Sequence, residues 1–345
     1  MKTFYSPAHL DHAPLEEFEA GRLVPAVEIP ARAEAVKAAI EARKFGPVLP
    51  PRAFGHEPLL RVHGAELVAF LGEAHAAWRA RYGATAQAAF PSAWPAGGAK
   101  VHARADIGSR LGAFVFDTAT PILRGTWSAA QTAANVALTA AEALRQGERA
   151  VFALTRPPGH HASADLFGGY CYLNNAAIAA QWLTDLGARV AILDVDYHHG
   201  NGTQAIFERC HDVFVASLHA DPAFAYPHYW GFADERGLGA GEGFNLNIPL
   251  PAGTAWSGYA PALAHAGDAI HTFAPDTLIV SLGLDTFERD PISDFTLKAE
   301  DYLRMGEALA GIECPTLFVF EGGYAVDHLG EITANVLEGF LQARA

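Results

Sequence analysis

Apolar residues recur along this chain with two spacings, and the spacing switches at regular intervals. Predominantly apolar runs stand at 150–155, 190–195, 213–218, 277–282 and 316–320. Runs of that length without polar alternation predict parallel strands buried on both faces. Between them, residues 126–146, 173–186, 257–273, 299–310 and 330–344 carry the pattern of helices. A short helix at 202–209 and a strand at 244–248 complete the series. Strand followed by helix, repeated, predicts an α/β fold: a mostly parallel multi-stranded sheet with helices on both faces. The sheet runs through both halves, so the expectation is a single domain over 1–345.

The first third is less regular. Residues 3–5 and 48–49 read as short strands, and 16–30 as irregular chain. A helix is expected over 31–44, with Ala33, Val36, Ala39 and Ile40 on one face and Gly46-Pro47 beyond it. A second, over 58–81, breaks near His63-Gly64 and aligns Leu67, Phe70, Leu71, Ala74 and Trp78. Ser128 is the expected N-cap of the 126–146 helix and Gly147 its end; Asn174 caps the next. Residues 83–125 fit no period. They mix Pro91, Pro95, Gly97, Gly98, Gly108, Gly112 and Pro121 with Phe90, Trp94, Phe114 and Phe116. A loop this long in a compact domain is usually functional or interfacial. Its aromatics need cover, either from a partner subunit or from the domain itself.

Composition narrows the function classes. A formal net charge of −14 disfavours non-specific binding to nucleic acid or an anionic membrane and tolerates cationic substrates. The three cysteines, Cys171, Cys210 and Cys314, form no C-x-x-C pair, so a reducing compartment is expected. The opening residues lack an apolar signal-peptide core, and no apolar run is long enough for a bilayer; the expected location is the cytoplasm.

The chemistry gathers at strand ends. The 190–195 run exits into Asp-Val-Asp-Tyr-His-His-Gly-Asn-Gly (194–202). In open α/β sheets ligands bind at the carboxyl ends of strands. Asp194, Asp196 and His198 alternate onto one face, and an Asp-x-His pair there has metal-ligand spacing. The 277–282 run exits into Gly-Leu-Asp-Thr-Phe, which adds Asp285. Asp196, His198 and Asp285 with an open position would make a catalytic divalent-metal site, with Zn²⁺ or Fe²⁺ equally acceptable. The 150–155 run exits into Arg-Pro-Pro-Gly-His-His, presenting His160 and His161 for acid–base work on a metal-bound water. Asp194 and Asn201 are the natural acceptors for the two rings, and an aspartate favours an imidazolium more than an asparagine does. The two histidines should therefore differ in proton affinity. The 316–320 run exits into Glu-Gly-Gly-Tyr, where the Tyr324 hydroxyl would stabilise an oxyanion. Tyr170 and Tyr226, with the glycine pair ending at Gly169, would line an aromatic entrance.

These motifs, with Gly-Gly-Tyr-Cys-Tyr-Leu-Asn-Asn (168–175), resemble the histone deacetylase superfamily. The likeness covers roughly positions 20 to 342. Phe167 before Gly168-Gly169-Tyr170-Cys171, His219-Ala220-Asp221-Pro222 and Asp285-Thr286-Phe287-Glu288 make it more similar to the bacterial acetylpolyamine amidohydrolases. The resemblance implies the arginase/deacetylase fold and Zn²⁺ on Asp196, His198 and Asp285. It implies His160 and His161 as the acid–base pair and Tyr324 as carbonyl polariser. It also implies a structural K⁺ near Asp194, Asp196, His198, Ser217 and Leu218, held mostly by backbone oxygens. In that branch the long loop builds a homodimer and narrows the channel, and 83–125 occupies its place, with Phe167 among the channel residues. One departure stands out. Where the branch has an acidic residue for the substrate's distal ammonium, this chain aligns Ala119, with Asp117 two residues earlier. The expected activity is release of acetate from acetylated polyamines or small diamines. Three other readings remain at this stage. One is a lysine deacetylase acting on peptides. A second is an arginase-type enzyme with two Mn²⁺ ions, which the Thr286-Phe287 sequence after Asp285 disfavours. The third is an acyl-ligand binding protein without turnover.

Overall fold

The computed structural model describes residues 1–96, 102 and 105–345. Gly97 and Gly98 of the long loop lie outside the described residues. Eight parallel strands form the main sheet: β1 (Lys2–Phe4), β4 (Val48–Leu49), β5 (Ala150–Ala153), β6 (Val190–Asp194), β7 (Val213–Ala220), β8 (Asn245–Leu250), β9 (Thr277–Leu282) and β10 (Thr316–Phe320). Their spatial order is β4-β1-β5-β10-β9-β6-β7-β8.

The apolar runs are continuous because both faces of the sheet are covered. Successive side chains point oppositely. Phe152, Ala191, Leu193, Val280 and Phe318 join a core with α1 (Ala31–Arg43), α8 (Trp256–Phe273), α9 (Ala299–Ala310) and α10 (Val326–Ala343). Val151, Ala153, Val190, Ile192 and Ile279 join a second core with α3 (Ala65–Tyr82), α5 (Thr126–Arg145) and α6 (Asn175–Asp185). Two short helices, α2 (Glu57–Leu60) and α7 (Asn201–Phe207), and α4 (Ile107–Phe114) complete the helical set.

Several boundaries depart from the pattern. Residues 16–30 are not all irregular: β2 (Glu16–Glu19) and β3 (Arg22–Pro25) pair as an antiparallel hairpin. Its turn uses Ala20 at φ 47° and Gly21 at φ 82°. Two positive φ values in a two-residue hairpin normally announce themselves as Asn-Gly or Asp-Gly, and Ala20 hides the signal. The 83–125 segment contains α4, capped by Asp106, whose side chain accepts from Ser109 N–H. Ser128 is not the cap of α5. That helix starts at Thr126 after Gly125, and the Thr126 hydroxyl accepts from the Leu123 N–H at 2.8 Å, fixing the approach instead. α10 begins at Val326 rather than 330. The loop aromatics find much of their cover within the chain: Phe114 stacks on Phe70 at 4.6 Å, and Trp94 donates to the Val115 carbonyl at 2.7 Å.

Candidate active site

β5, β10, β9 and β6 are consecutive neighbours in the sheet. Their four carboxyl-end loops therefore meet at one place, and each brings its part of the chemistry.

From β6 and β9 come Asp196, His198 and Asp285, all buried, with one donor atom each within 4.8 Å of the others. His198 Nδ1 lies 2.9 Å from Asp285 Oδ2 and 3.4 Å from Asp196 Oδ1. Backbone donors aim both carboxylates: Tyr197 N–H to Asp285 (2.8 Å), His198 N–H to Asp196 (2.9 Å) and Gly322 N–H to Asp196 (2.9 Å). Burial, and then the Asp196 charge, push the Asp285 carboxyl up to about 7. Three buried carboxylates, Asp194, Asp196 and Asp285, share only two histidine rings, His198 and His160 (its Nε2 3.8 Å from Asp196), and no Lys or Arg among the described residues pairs with them. Oxygen and nitrogen donors with a deficit of positive charge fit a divalent ion.

From β5 come the histidines, their rings 4.0 Å apart. His160 Nδ1 donates to Asp194 Oδ2 at 3.0 Å, and His161 Nδ1 to Asn201 Oδ1 at 2.7 Å. Burial works against charge on both rings. In His160 the charges of Asp196 and Asp194 overcome it and raise the pKa to about 10. In His161 burial is reinforced by the charges of His160 and His198, which hold it well below the ordinary range. His160 therefore holds a proton more tightly than His161 does.

From β10 comes Tyr324. Its ring lies 5.6 Å from the Tyr170 ring, with the Arg32 guanidinium 4.6 Å from its centre. Asp290 accepts the Tyr324 N–H at 2.6 Å. Burial, against the pull of Arg32, raises the phenol well above 10, so it stays a proton donor at neutral pH.

A cavity of about 210 Å³ opens onto this centre. Its walls are His161, His198, Tyr324, Gly169, Tyr170, Tyr226, Ala119 and Ile292, together with Glu17, Glu19 and Asp117. Gly169, at φ 56°, leaves the room that a Cβ would take from the His161 ring. Phe167 is not part of the wall: it is fully buried behind it, stacked on Tyr172 at 5.5 Å. The alternation of the chain turns it inward, and Phe116 lies against Gly168 and Tyr226 instead. Asp117 reaches the cavity with both oxygens engaged, by Gly169 N–H (2.5 Å), the Tyr226 hydroxyl (3.0 Å) and Ala119 N–H (3.1 Å). Asp194 and Ser217 are register partners of β6 and β7, and Leu218 follows, all buried.

Sequence reasoning missed Glu17 and Glu19. Their two-residue spacing puts both on one face of β2, a signal hidden by the unread hairpin. It also missed Arg32 and Asp290, which brace Tyr324 from distant segments and carry no motif of their own.

An α/β sheet that gathers an Asp–His–Asp group, a histidine pair and a tyrosine at its carboxyl edge defines a metal-dependent deacetylase. The Histone deacetylase domain model matches residues 26–340, and the chain belongs to that family. Acetylpolyamine amidohydrolase 1 of Pseudomonas aeruginosa is 50% identical over 99% of both chains. The Mycoplana ramosa acetylpolyamine amidohydrolase is 44% identical over 98% of this chain and 99% of its own. The crystal structure of acetylpolyamine aminohydrolase from Burkholderia pseudomallei superposes with a TM-score of 0.95 at 38% identity, covering 99% of each. Within the family, the chain falls in the acetylpolyamine amidohydrolase branch.

Proposed function

We propose that this protein hydrolyses acetylated polyamines or small acetylated diamines, such as acetylputrescine and acetylcadaverine, to acetate and the free amine. The observation that carries this reading is the cavity. Its lining joins His161, His198 and Tyr324 to three acids, Glu17, Glu19 and Asp117, and no Lys or Arg among the described residues lines it. Such a lining favours a ligand with an amide at one end and a cation at the other. The names of the end-to-end relatives point the same way.

Asp196, His198 and Asp285 would hold the ion, Zn²⁺ with Fe²⁺ as the alternative. When bound, it supplies Lewis acidity to the amide carbonyl and the attacking water. His161, paired to a neutral asparagine, takes a proton from the water as the oxygen attacks the carbonyl carbon. The Tyr324 hydroxyl donates to the oxyanion that develops. As the C–N bond breaks, the amine nitrogen takes a proton from the histidine pair, and Asp194 stabilises the imidazolium form of His160. Water and amide become acetate and amine with no other reactant.

Further parts of this reading rest on less. A K⁺ near Asp194, Asp196, His198, Ser217 and Leu218 is supported by the adjacency of β6 and β7. A homodimer through 83–125 is supported by Trp94, 44% exposed on that segment. A cytoplasmic location agrees with three free cysteines and with the lack, among the described residues, of any helix able to cross a membrane. The net charge of −14 argues against a nucleic-acid partner.

The test is deacetylation by the purified, metal-loaded protein on acetylputrescine, acetylcadaverine, acetylspermidine and an acetyl-lysine peptide. Higher kcat/KM on the small amines is expected. A preference for the peptide would replace this reading with a lysine deacetylase, and tight binding without turnover would replace it with an acyl-ligand binding protein.

A further inference from the structure

Glu321, the first residue past β10, is fully buried. A carboxyl group in that position needs donors for its oxygens, because a buried polar group without hydrogen bonds is unfavourable. No ion pair to its side chain occurs among the described residues; Arg32 bonds its backbone carbonyl instead, at 2.6 Å. Its partners are two backbone donors and one hydroxyl. Oε2 accepts from Gly159 N–H at 2.6 Å and from His160 N–H at 3.3 Å, and Oε1 faces the Ser281 hydroxyl at 3.5 Å.

The two backbone donors belong to the turn that carries both histidines. The turn's carbonyls are already engaged elsewhere: Pro157 O by Asn175, and His160 O by Thr203 N–H. Its N–H groups at 159 and 160 have Glu321 as their acceptor, and without it they would be buried donors left unpaired. The next residue along, Gly322, donates to Asp196 Oδ2 at 2.9 Å, and Tyr324 follows two residues later. A single segment, 321–324, therefore touches the histidine turn, the metal-ligand group and the tyrosine.

We infer that Glu321 is a positioning residue for the histidine pair, acting through the backbone of Gly159 and His160 and touching no substrate itself. The inference rests on the proton-transfer roles proposed above for His160 and His161. It gives the buried acid a purpose that an apolar residue of the same size would not meet. Displacement of a proton-transfer group by about 1 Å lowers turnover by roughly 10²-fold. Substrate binding and metal retention depend on other residues, so both should survive its loss.

The test compares Glu321→Met, which keeps the volume and removes the acceptor, with Glu321→Gln, which keeps one acceptor oxygen for Gly159. In the metal-loaded protein, Glu321→Met should lower kcat for acetylputrescine by about 10- to 100-fold. Its KM should stay within about twofold and its metal content should match the wild type, since no contact to substrate or ion is removed. Glu321→Gln should recover kcat to within about threefold, because a neutral acceptor still meets the turn. An unchanged kcat in Glu321→Met would overturn the inference. So would a Glu321→Gln protein as slow as Glu321→Met, or a Glu321→Met protein that loses metal or fails to fold, since either result gives Glu321 a different job. His161→Ala is measured alongside. If it is inactive while Glu321→Met is not, only this inference falls; if it keeps full turnover, the proton-transfer reading beneath it falls first.

Discussion

Tyr324 is braced independently of its hydroxyl. Arg32 lies over its ring, Tyr170 meets the ring edge, and Asp290 holds its backbone N–H. Removing the oxygen should leave the ring where it is. Tyr324→Phe should therefore lower kcat by about 10²–10³, the usual effect of losing one oxyanion donor, with metal content unchanged. An unaltered kcat would take the phenol out of the chemistry. Glu19 allows a second single-residue test. It lines the cavity from the solvent-exposed end of β2, and it is a candidate for the cationic anchor that Ala119 cannot supply. Glu19→Gln should raise KM for acetylputrescine by about fivefold, the scale of one partly exposed charge pair. The same change should leave N-butylacetamide, which has no distal ammonium, unaffected. Equal effects on both would show that the side chain shapes the cavity without reading charge. At this scale the sequence was most legible where several polar residues share one strand end, as at Asp194, Asp196 and His198. It was least legible at Asp290 and Arg32, because their partner lies in a segment brought close only by the fold.

The four reactive loops proved to be spatial neighbours because β9 and β10 enter the sheet between β5 and β6. Apolar runs announced each strand but not this order, which depends on which edge each crossover returns to. The hairpin of β2 and β3 escaped because Ala20 stands where asparagine is usual, and α4 because proline and glycine around it masked eight helical residues. The hairpin lines the cavity through Glu17 and Glu19, so an illegible element supplies acids to its wall, while the legible strand ends supply His161, His198 and Tyr324. Gly322 shows how tightly the metal-ligand group is drawn. A Cβ there would lie 2.5 Å from Asp196 Oδ2 and 2.6 Å from Asp285 Oδ2, so both ligand carboxylates would have to move. Gly322→Ala should fold, since the clash is local, yet hold well under one ion per chain after dialysis against a chelator. Metal retained at the wild-type level would mean that the two carboxylates can retreat without losing the ion.

On the scale of the whole molecule, buried neutral histidines tie stability to pH. His63 sits at the break between α2 and α3, 2% exposed. Its Nδ1 donates to the Ser163 carbonyl at 2.8 Å, and its Nε2 accepts the Asn174 N–H at 2.9 Å. It therefore joins the α2–α3 corner to the start of α6 and must stay neutral to do so. Burial, partly offset by its backbone partners, lowers its pKa to about 4 from 6.5. His219 shifts the same way, also to about 4. In the unfolded chain each ring takes its proton near pH 6.5, whereas in the fold it resists until pH 4. Between those values the unfolded state binds more protons, so stability rises with pH across that window and falls on acidification. The full contribution of His63 is present above pH 6.5. Up to about 3 kcal/mol of it is gone by pH 4, at about 1.4 kcal/mol per pH unit for one proton. His63→Gln removes the titration and keeps a polar side chain. Urea unfolding from pH 7 to 4.5 should show the variant less stable at pH 7, by about 1–3 kcal/mol for the disturbed buried bonds. Its stability should then fall with a slope shallower by about one proton, so the two curves converge toward acid. Parallel curves would mean that His63 titrates alike in both states, and that the acid sensitivity of the fold lies with other groups.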